Sequence, residues 1–331
     1  MAKSHVNIPV FIPQAGCPFQ CVFCNQSRIA GSSSPTLAEV KAEIEKCLAG
    51  IPRGTETQIA FFGGSFTGLP ASVQESYLQV AASYIEKGRA ESVRISTRPD
   101  YIDKPRLELL KRYRVTDIEL GAQSLDDDVL RRSGRGHTAA DVMSAAGLIR
   151  SEGFTLGLQM MIGLPGDSKE KSLTTGRKII EAGADNTRIY PALVIRETRM
   201  EKWYAQGKYK PLELEEAVEW SAELMEMFEK AGVKTLRVGL HPSEGLLSGR
   251  NLVAGPFHAS FRELVLSELW WKELSKLKGN AKATIYVRPS ELNYAIGYKS
   301  CNRNRLRQRF QSVSFKPDAS LTDRTFYVDY H

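Results

Sequence analysis

Along the first 240 residues, short apolar runs alternate with longer stretches whose apolar positions recur every three or four residues. The runs at 7–13, 58–64, 92–97, 117–123, 155–164 and 187–194, with a further one at 233–239, have the length of strands. Between them, 37–48, 72–86, 104–112, 139–151 and 212–230 carry the helical period. The first two of these helices run out at Gly50 and Gly88, residues able to take the left-handed backbone that commonly closes a helix. Strand-then-helix repetition calls for a mainly parallel sheet covered by helices. Six or seven such units predict an α/β fold of the barrel type, full or partial, over an open doubly wound sheet. The pattern breaks near Lys278-Gly279-Asn280, after an aromatic helix containing Trp270 and Trp271. That break divides the chain into residues 1–278 and a small segment, 279–331.

Composition adds a boundary condition. With 331 residues, 42% of them hydrophobic and 25% charged, the chain can bury a full core. It has no run of eighteen apolar residues, and its N-terminus lacks the basic, apolar and small-residue regions of a secretory signal, so the expected location is the cytoplasm, with no membrane association. The net charge of +7 is unevenly spread. Residues 281–331 hold nine Lys/Arg against four Asp/Glu, a balance of +5 that leaves +2 for the rest, as a segment contacting a polyanion would have it.

Five cysteines exclude a fully paired disulfide framework, and three of them, Cys17, Cys21 and Cys24, lie on one loop directly after the first predicted strand, spaced C-x3-C-x2-C. Three thiolates on a short loop can hold three irons of a cubane cluster and leave the fourth iron open. A structural zinc site is the alternative, but it needs a fourth ligand, and the aromatic Phe23 fills the last gap where zinc knuckles usually use paired C-x2-C units. Cys47 and Cys301 are isolated and read as packing residues.

The loop Cys17-Pro-Phe-Gln-Cys21-Val-Phe-Cys24 resembles the signature of the radical S-adenosylmethionine (SAM) superfamily, and motifs downstream follow in matching order. The resemblance implies a partial (β/α)6 TIM-type barrel, a [4Fe-4S] cluster on Cys17, Cys21 and Cys24, and SAM chelated to the open iron. The cluster then cleaves SAM reductively to a 5′-deoxyadenosyl radical, with an electron donor such as ferredoxin or flavodoxin as partner. In Phe61-Phe-Gly63-Gly64-Ser-Phe66, the resemblance assigns Gly63, Gly64 and Phe66 to the cofactor's methionine end. It places Glu119 and Gln123 near the ribose, with Thr97 and Arg98 close by, Arg135 on the cofactor carboxylate, and the segment around Ile162 against the adenine. Arg98 and Tyr190 are the candidate catalytic residues, and His137 reads equally as a helix cap or a catalytic group.

Within the superfamily the resemblance is strongest to the radical domain of the Elongator catalytic subunit, which modifies wobble uridine in tRNA. It is carried by Ser96-Thr-Arg-Pro-Asp-Tyr101, Glu119-Leu-Gly-Ala-Gln-Ser124, Arg135-Gly-His-Thr138 and Tyr190-Pro-Ala-Leu-Val-Ile-Arg196, over residues 7–240. Oxygen-independent coproporphyrinogen oxidases are more distant relatives. Two departures are expected to matter: 331 residues should leave no room for Elongator's acetyltransferase domain, and the cysteine spacing is the ordinary superfamily one where Elongator's is wider, so carboxymethylation of uridine cannot simply be carried across.

In residues 284–318, a strand, a short helix, a turn at Gly297-Tyr-Lys-Ser300, a helix with Arg303, Arg305, Arg307 and Arg309, and a second strand succeed one another, an order that resembles a KH domain. There a G-x-x-G turn clamps a nucleic-acid backbone; here serine stands at the second glycine. The alternative is a charged helix packed on the barrel. The expected function is thus a radical SAM enzyme acting on RNA, most naturally tRNA. The competing classes are a radical enzyme with a small-molecule or tetrapyrrole substrate and a non-catalytic, metal-containing RNA-binding protein.

Overall fold

The computed structural model describes residues 5–12, 21–25, 34–52 and 54–331. In chain order the elements are β1 (His5–Ile12), α1 (Leu37–Ala49), β2 (Glu56–Gly63), α2 (Ala71–Glu86), β3 (Ser92–Thr97), α3 (Lys104–Arg112), β4 (Val115–Gln123), α4 (Asp127–Arg132), α5 (Ala139–Ser151) and β5 (Thr155–Ile162). Then follow α6 (Lys169–Glu181), β6 (Asn186–Pro191), β7 (Val194–Ile195), α7 (Arg199–Ala205), α8 (Leu214–Lys230), β8 (Lys234–Val238), α9 (Glu244–Leu247), β9 (Leu252–Ala254) and α10 (Phe261–Leu274). The last part holds β10 (Lys282–Val287), α11 (Leu292–Ile296), α12 (Cys301–Leu306), β11 (Ser312–Pro317) and β12 (Phe326–Tyr330).

Seven strands pair in parallel in the order β1-β2-β3-β4-β5-β6-β8 and curl into the partial barrel that the alternation predicts. On each strand, alternate residues point outward to the helices and inward to the lumen. Ile8, Val93, Ile95, Ile118, Leu156, Met160 and Ile189 are the fully buried outward set, and with the apolar faces of the helices they form the main core. The helices start where the chain offers a cap. Thr36 and Glu39 make a reciprocal capping box for α1, Thr138 and Asp141 do so for α5, and Asp103, Asp126 and Ser168 cap α3, α4 and α6.

The second sheet has the order β11-β10-β12, with β10 parallel to β11 and antiparallel to β12. The strand, helix, turn, helix, strand order read from the sequence is present, and β12 adds a strand that the pattern did not predict. Its core also takes Trp270 and Leu274 from α10, whose other face (Phe261, Val265, Leu269) belongs to the barrel core, so this helix serves both cores. The Gly297 turn packs against the same helix: the Tyr298 N–H donates to Ser267 Oγ at 2.9 Å, and fully buried Asn302 donates to Ser267 O at 2.8 Å. Those groups are committed within the protein. Arg305 and Arg309, one helical turn apart, lie over the Trp271 ring at 5.0 and 5.5 Å, while Arg307 is exposed. No helix of the described residues is long and apolar enough to cross a membrane.

Candidate active site

Parallel strands deliver their C-terminal ends to one rim, where the predicted site residues collect. Cys17 lies outside the described residues; of the other two, Cys21 is buried and Cys24 half-buried. Their turn is closed by Cys24 N–H donating to Cys21 O at 3.0 Å. It is pinned by Val22, which bonds through its backbone to Ser133 and Met200 and packs with Val129, Leu164 and Val194. Arg135, buried after α4, donates from Nη1 to Cys21 Sγ at 3.3 Å and from Nη2 to Gly121 O at 2.6 Å. Its Nε is buried and has no hydrogen-bond partner among the described residues. Two cysteines on one fixed turn, the sulfur of one facing a guanidinium, fit a thiolate-bound cluster.

The glycine turn closes the end of β2 against β1. Gly64 N–H donates to Ile12 O at 2.6 Å, and Gly63 has φ +109°, where an added Cβ would lie 2.7 Å from the same oxygen. Glycine is therefore required for β1 and the end of β2 to approach so closely. Phe66 turns inward: it is buried and stacks on Phe61 at 5.1 Å, anchoring the turn in the core. Thr97 is committed as well, its hydroxyl 2.9 Å from Ser65 Oγ and 2.5 Å from Thr67 Oγ1, which ties the ends of β2 and β3 together.

Arg98 forks onto Asp100 at 2.9 and 3.1 Å and donates to Arg135 O at 2.5 Å. His137 neither caps α5 nor reaches solvent. It is buried, with Nε2 3.2 Å from Ala122 O and Nδ1 3.5 Å from Arg98 Nη2. Burial, then the charges of Arg135 and Arg98, lower its pKa to about 4, so it stands neutral as a brace between β4 and the Arg98 loop. Gln123 takes φ +66° where the β4–β5 register shifts, an unusual backbone for a non-glycine residue and one that recurs at functional sites. Ile162 is fully buried toward the helices, so only its backbone faces the rim; its carbonyl accepts from Ala192 N–H at 2.9 Å.

Glu119 lies deeper in the lumen, 1% exposed, and its carboxylate is saturated. It accepts from Arg94 Nη1 (2.7 Å), Arg188 Nε and Nη2 (2.8 Å each) and Gln159 Nε2 (2.7 Å). Burial alone would raise its pKa, but Arg188, Arg94 and Gln159 hold it below the usual carboxylate value. Arg94 also pairs with Asp117, giving two cations and two carboxylates. Gly157 makes the reach possible: it sits between Glu119 and Asn186 in the register, and a Cβ there would come within 2.8 Å of Glu119 Cγ. Tyr190 is half-buried beyond this network, its hydroxyl pKa raised by burial against the opposing pull of Arg188.

Beside them stands Arg237, which the sequence pattern did not single out. The register pairs it with Arg188 across β6 and β8, so both point into the lumen, yet Arg237 makes no side-chain hydrogen bond or ion pair among the described residues. Its signal was an arginine in an otherwise apolar strand end, Leu236-Arg237-Val238. The rim thus brings together Cys21, Arg135, Gly63, Gly64, Thr97, Arg98 and Gln123, while Glu119 lies below it and Phe66 faces away.

Comparison with known proteins agrees with this geometry. The profile of the radical SAM superfamily matches residues 11–178, and that of the radical SAM C-terminal domain matches 184–270. A tRNA uridine(34) acetyltransferase of Dehalococcoides mccartyi (strain CBDB1) is 28% identical over 231 residues, 59% of this chain and 50% of that protein. Elongator complex protein 3 of Homo sapiens is 27% identical over 234 residues, 65% of this chain and 42% of that protein. The chain therefore spans half or less of the length of these relatives. The solved structure of archaeal Methanocaldococcus infernus Elp3 with an N-terminal deletion superposes with a TM-score of 0.68 at 22% identity, covering 82% of this chain and 64% of that one, which shows a shared fold. With more than half of its length matched and its rim built as described, the chain belongs to the radical SAM superfamily of enzymes.

Proposed function

We propose that this protein is a [4Fe-4S]-dependent radical SAM enzyme that modifies a base of tRNA. The observation that carries the reading is Cys21 and Cys24 on one turn pinned at the rim, with Arg135 donating to the Cys21 sulfur. The relatives named as tRNA uridine(34) acetyltransferases support RNA as the substrate class.

Cys17, Cys21 and Cys24 would hold three irons and leave the fourth for the amino and carboxylate groups of SAM. When bound, the cluster supplies one electron to the sulfonium, releasing methionine and a 5′-deoxyadenosyl radical that abstracts a hydrogen atom from the substrate. The chain's own residues prepare this. Arg135 would orient the Cys21 ligand by its hydrogen bond to the sulfur. Gly63 and Gly64 let backbone come close to the cofactor without a side chain intervening. The Glu119 network fixes Arg188, which positions Tyr190 at the substrate end of the lumen, and Arg237 offers a cation there for a phosphate or other anionic group. Exposed Lys282, Arg307 and Lys316 on the basic C-terminal segment add attraction for the RNA backbone, and a ferredoxin or flavodoxin serves as donor.

The test is to incubate the anaerobically reconstituted protein with SAM, reductant and bulk tRNA, then digest the RNA. The expected result is 5′-deoxyadenosine together with a nucleoside of changed mass, both absent from a Cys21→Ala, Cys24→Ala variant. Formation of 5′-deoxyadenosine with no change in any nucleoside would refute tRNA as the substrate.

A further inference from the structure

Beside the rim, a cavity of about 410 Å³ opens between the Gly163–Asp167 loop after β5, the end of α4 and the connection from α7 to α8. Its volume falls in the roughly 300–1,000 Å³ range of small-ligand sites. Trp203, Tyr209 and Trp220 supply aromatic walls, and Arg132, Lys208 and Lys210 supply the charge. Gly163 to Gly166 follow directly on Ile162, in the segment that the resemblance sets against the adenine, while none of Cys21, Cys24, Gly63, Gly64, Phe66, Thr97, Arg98, Glu119, Gln123, Arg135, Ile162 or Tyr190 lines the cavity.

The walls are built by specific local devices. Gly207, at φ +68°, closes α7 while the Lys208 N–H donates to Trp203 O at 2.8 Å, which sends the next residues out along the cavity edge. There Tyr209 is buried and its hydroxyl donates to Gly163 O at 2.6 Å, clipping the segment to the β5 loop, while Lys208 and Lys210 on either side are exposed. Gly163 has to be glycine: φ is +74°, and an added Cβ would lie 2.8 Å from the Leu212 side chain.

The charges do not cancel locally. The lining carboxylate, Asp167, is committed to Gly163 N–H, Ser168 N–H and Ser172 Oγ at 2.8 Å each. Arg132 pairs with Asp128 at 2.9 Å. Lys208 has no ion-pair partner among the described residues, and the contact of Lys210 with Glu213, at 3.9 Å between exposed groups, is weak. Flat aromatic surfaces beside uncompensated lysines match an aromatic base carrying a phosphate.

We propose that this cavity binds one nucleotide, its base against the tryptophan rings and its phosphate held by Lys208 and Lys210. Taken as part of a strand, that nucleotide deepens the RNA reading above and rests on it. Free nucleotide and RNA present the same chemistry, so the experiment separates them.

Tryptophan fluorescence of the full-length, anaerobically isolated protein is followed during titration with 5′-nucleoside monophosphates and with a short single-stranded oligoribonucleotide. Saturable quenching is expected, with Trp203→Phe removing part of the signal. Lys208→Glu/Lys210→Glu, at exposed positions, should raise the apparent Kd at least about tenfold, the order expected when phosphate contacts are reversed. Equal affinity for both ligands assigns a free nucleotide; distinctly tighter binding of the oligonucleotide assigns an RNA strand. Three results would overturn the proposal: no saturable quenching by either ligand at millimolar concentration, quenching unchanged in the charge-reversal variant, or displacement of the ligand by S-adenosylhomocysteine, which would make the cavity part of the cofactor site. Because the readout requires no turnover, a failure to modify tRNA leaves this measurement standing by itself.

Discussion

Replacing Glu119 by glutamine separates two accounts of that residue. The superfamily resemblance places it at the cofactor ribose, whereas the structure gives both of its oxygens to Arg94, Arg188 and Gln159 at 2.7–2.8 Å, 1% exposed. Glutamine keeps the shape but removes the charge, leaving two cations against Asp117 alone and turning an amide N–H toward a guanidinium. Removing one partner from a buried ion pair costs about 3–5 kcal/mol, because the remaining charge stays desolvated. A loss of that order is expected in urea denaturation followed by circular dichroism. The double variant Glu119→Gln/Arg188→Gln should lose less than the sum of the two single variants. Destabilisation below about 1 kcal/mol, combined with loss of SAM binding, would show instead that the carboxylate faces the cofactor and that the network is incidental.

Three further outcomes follow from the same geometry. His137 is held neutral with a pKa of about 4 against an ordinary 6.5, so between those values the unfolded chain binds the extra proton. Its contribution is full above pH 6.5 and declines as the pH falls toward 4, by about 3 kcal/mol; His137→Gln should remove that part of the pH dependence in denaturation profiles. Gly63→Ala, which drives a Cβ to 2.7 Å from Ile12 O at φ +109°, should cost about 2 kcal/mol or more and lower cluster incorporation, measured as iron per chain. Deleting residues 281–331 strips the cover from fully buried Trp270 and Leu274, so the truncated barrel should precipitate or melt earlier, while Arg307→Glu/Lys316→Glu keeps the wild-type melting temperature and weakens tRNA binding.

The barrel strands were legible because each is a compact apolar run between helices with their own period; β3, α3 and α5 lie at the predicted residues. Short elements were not. The six-residue α4 and the two-residue β7 are too brief to show a period, and β12 pairs at the edge of a sheet whose partner strand is 39 residues earlier in register, Val287 against Phe326. At the site, the strain at Gly63 and the cysteine turn were visible as patterns because both depend on local backbone and spacing. The partners of Glu119 were not legible, since Arg94, Gln159 and Arg188 come from β3, β5 and β6 and meet it only because Gly157 leaves the space between. Phe66 belongs to a motif associated with the cofactor, yet ring packing on Phe61 decides its direction. Arg237 gains meaning only from its register with Arg188.

Electron paramagnetic resonance of the anaerobically reduced protein, recorded with and without SAM, tests most directly whether three thiolates leave one iron open. Iron and acid-labile sulfide in cubane proportion, with a signal that shifts when SAM is added and vanishes in Cys17→Ala, Cys21→Ala or Cys24→Ala, is the predicted result. A cluster whose signal ignores SAM, or stoichiometric zinc in place of iron, would contradict the account.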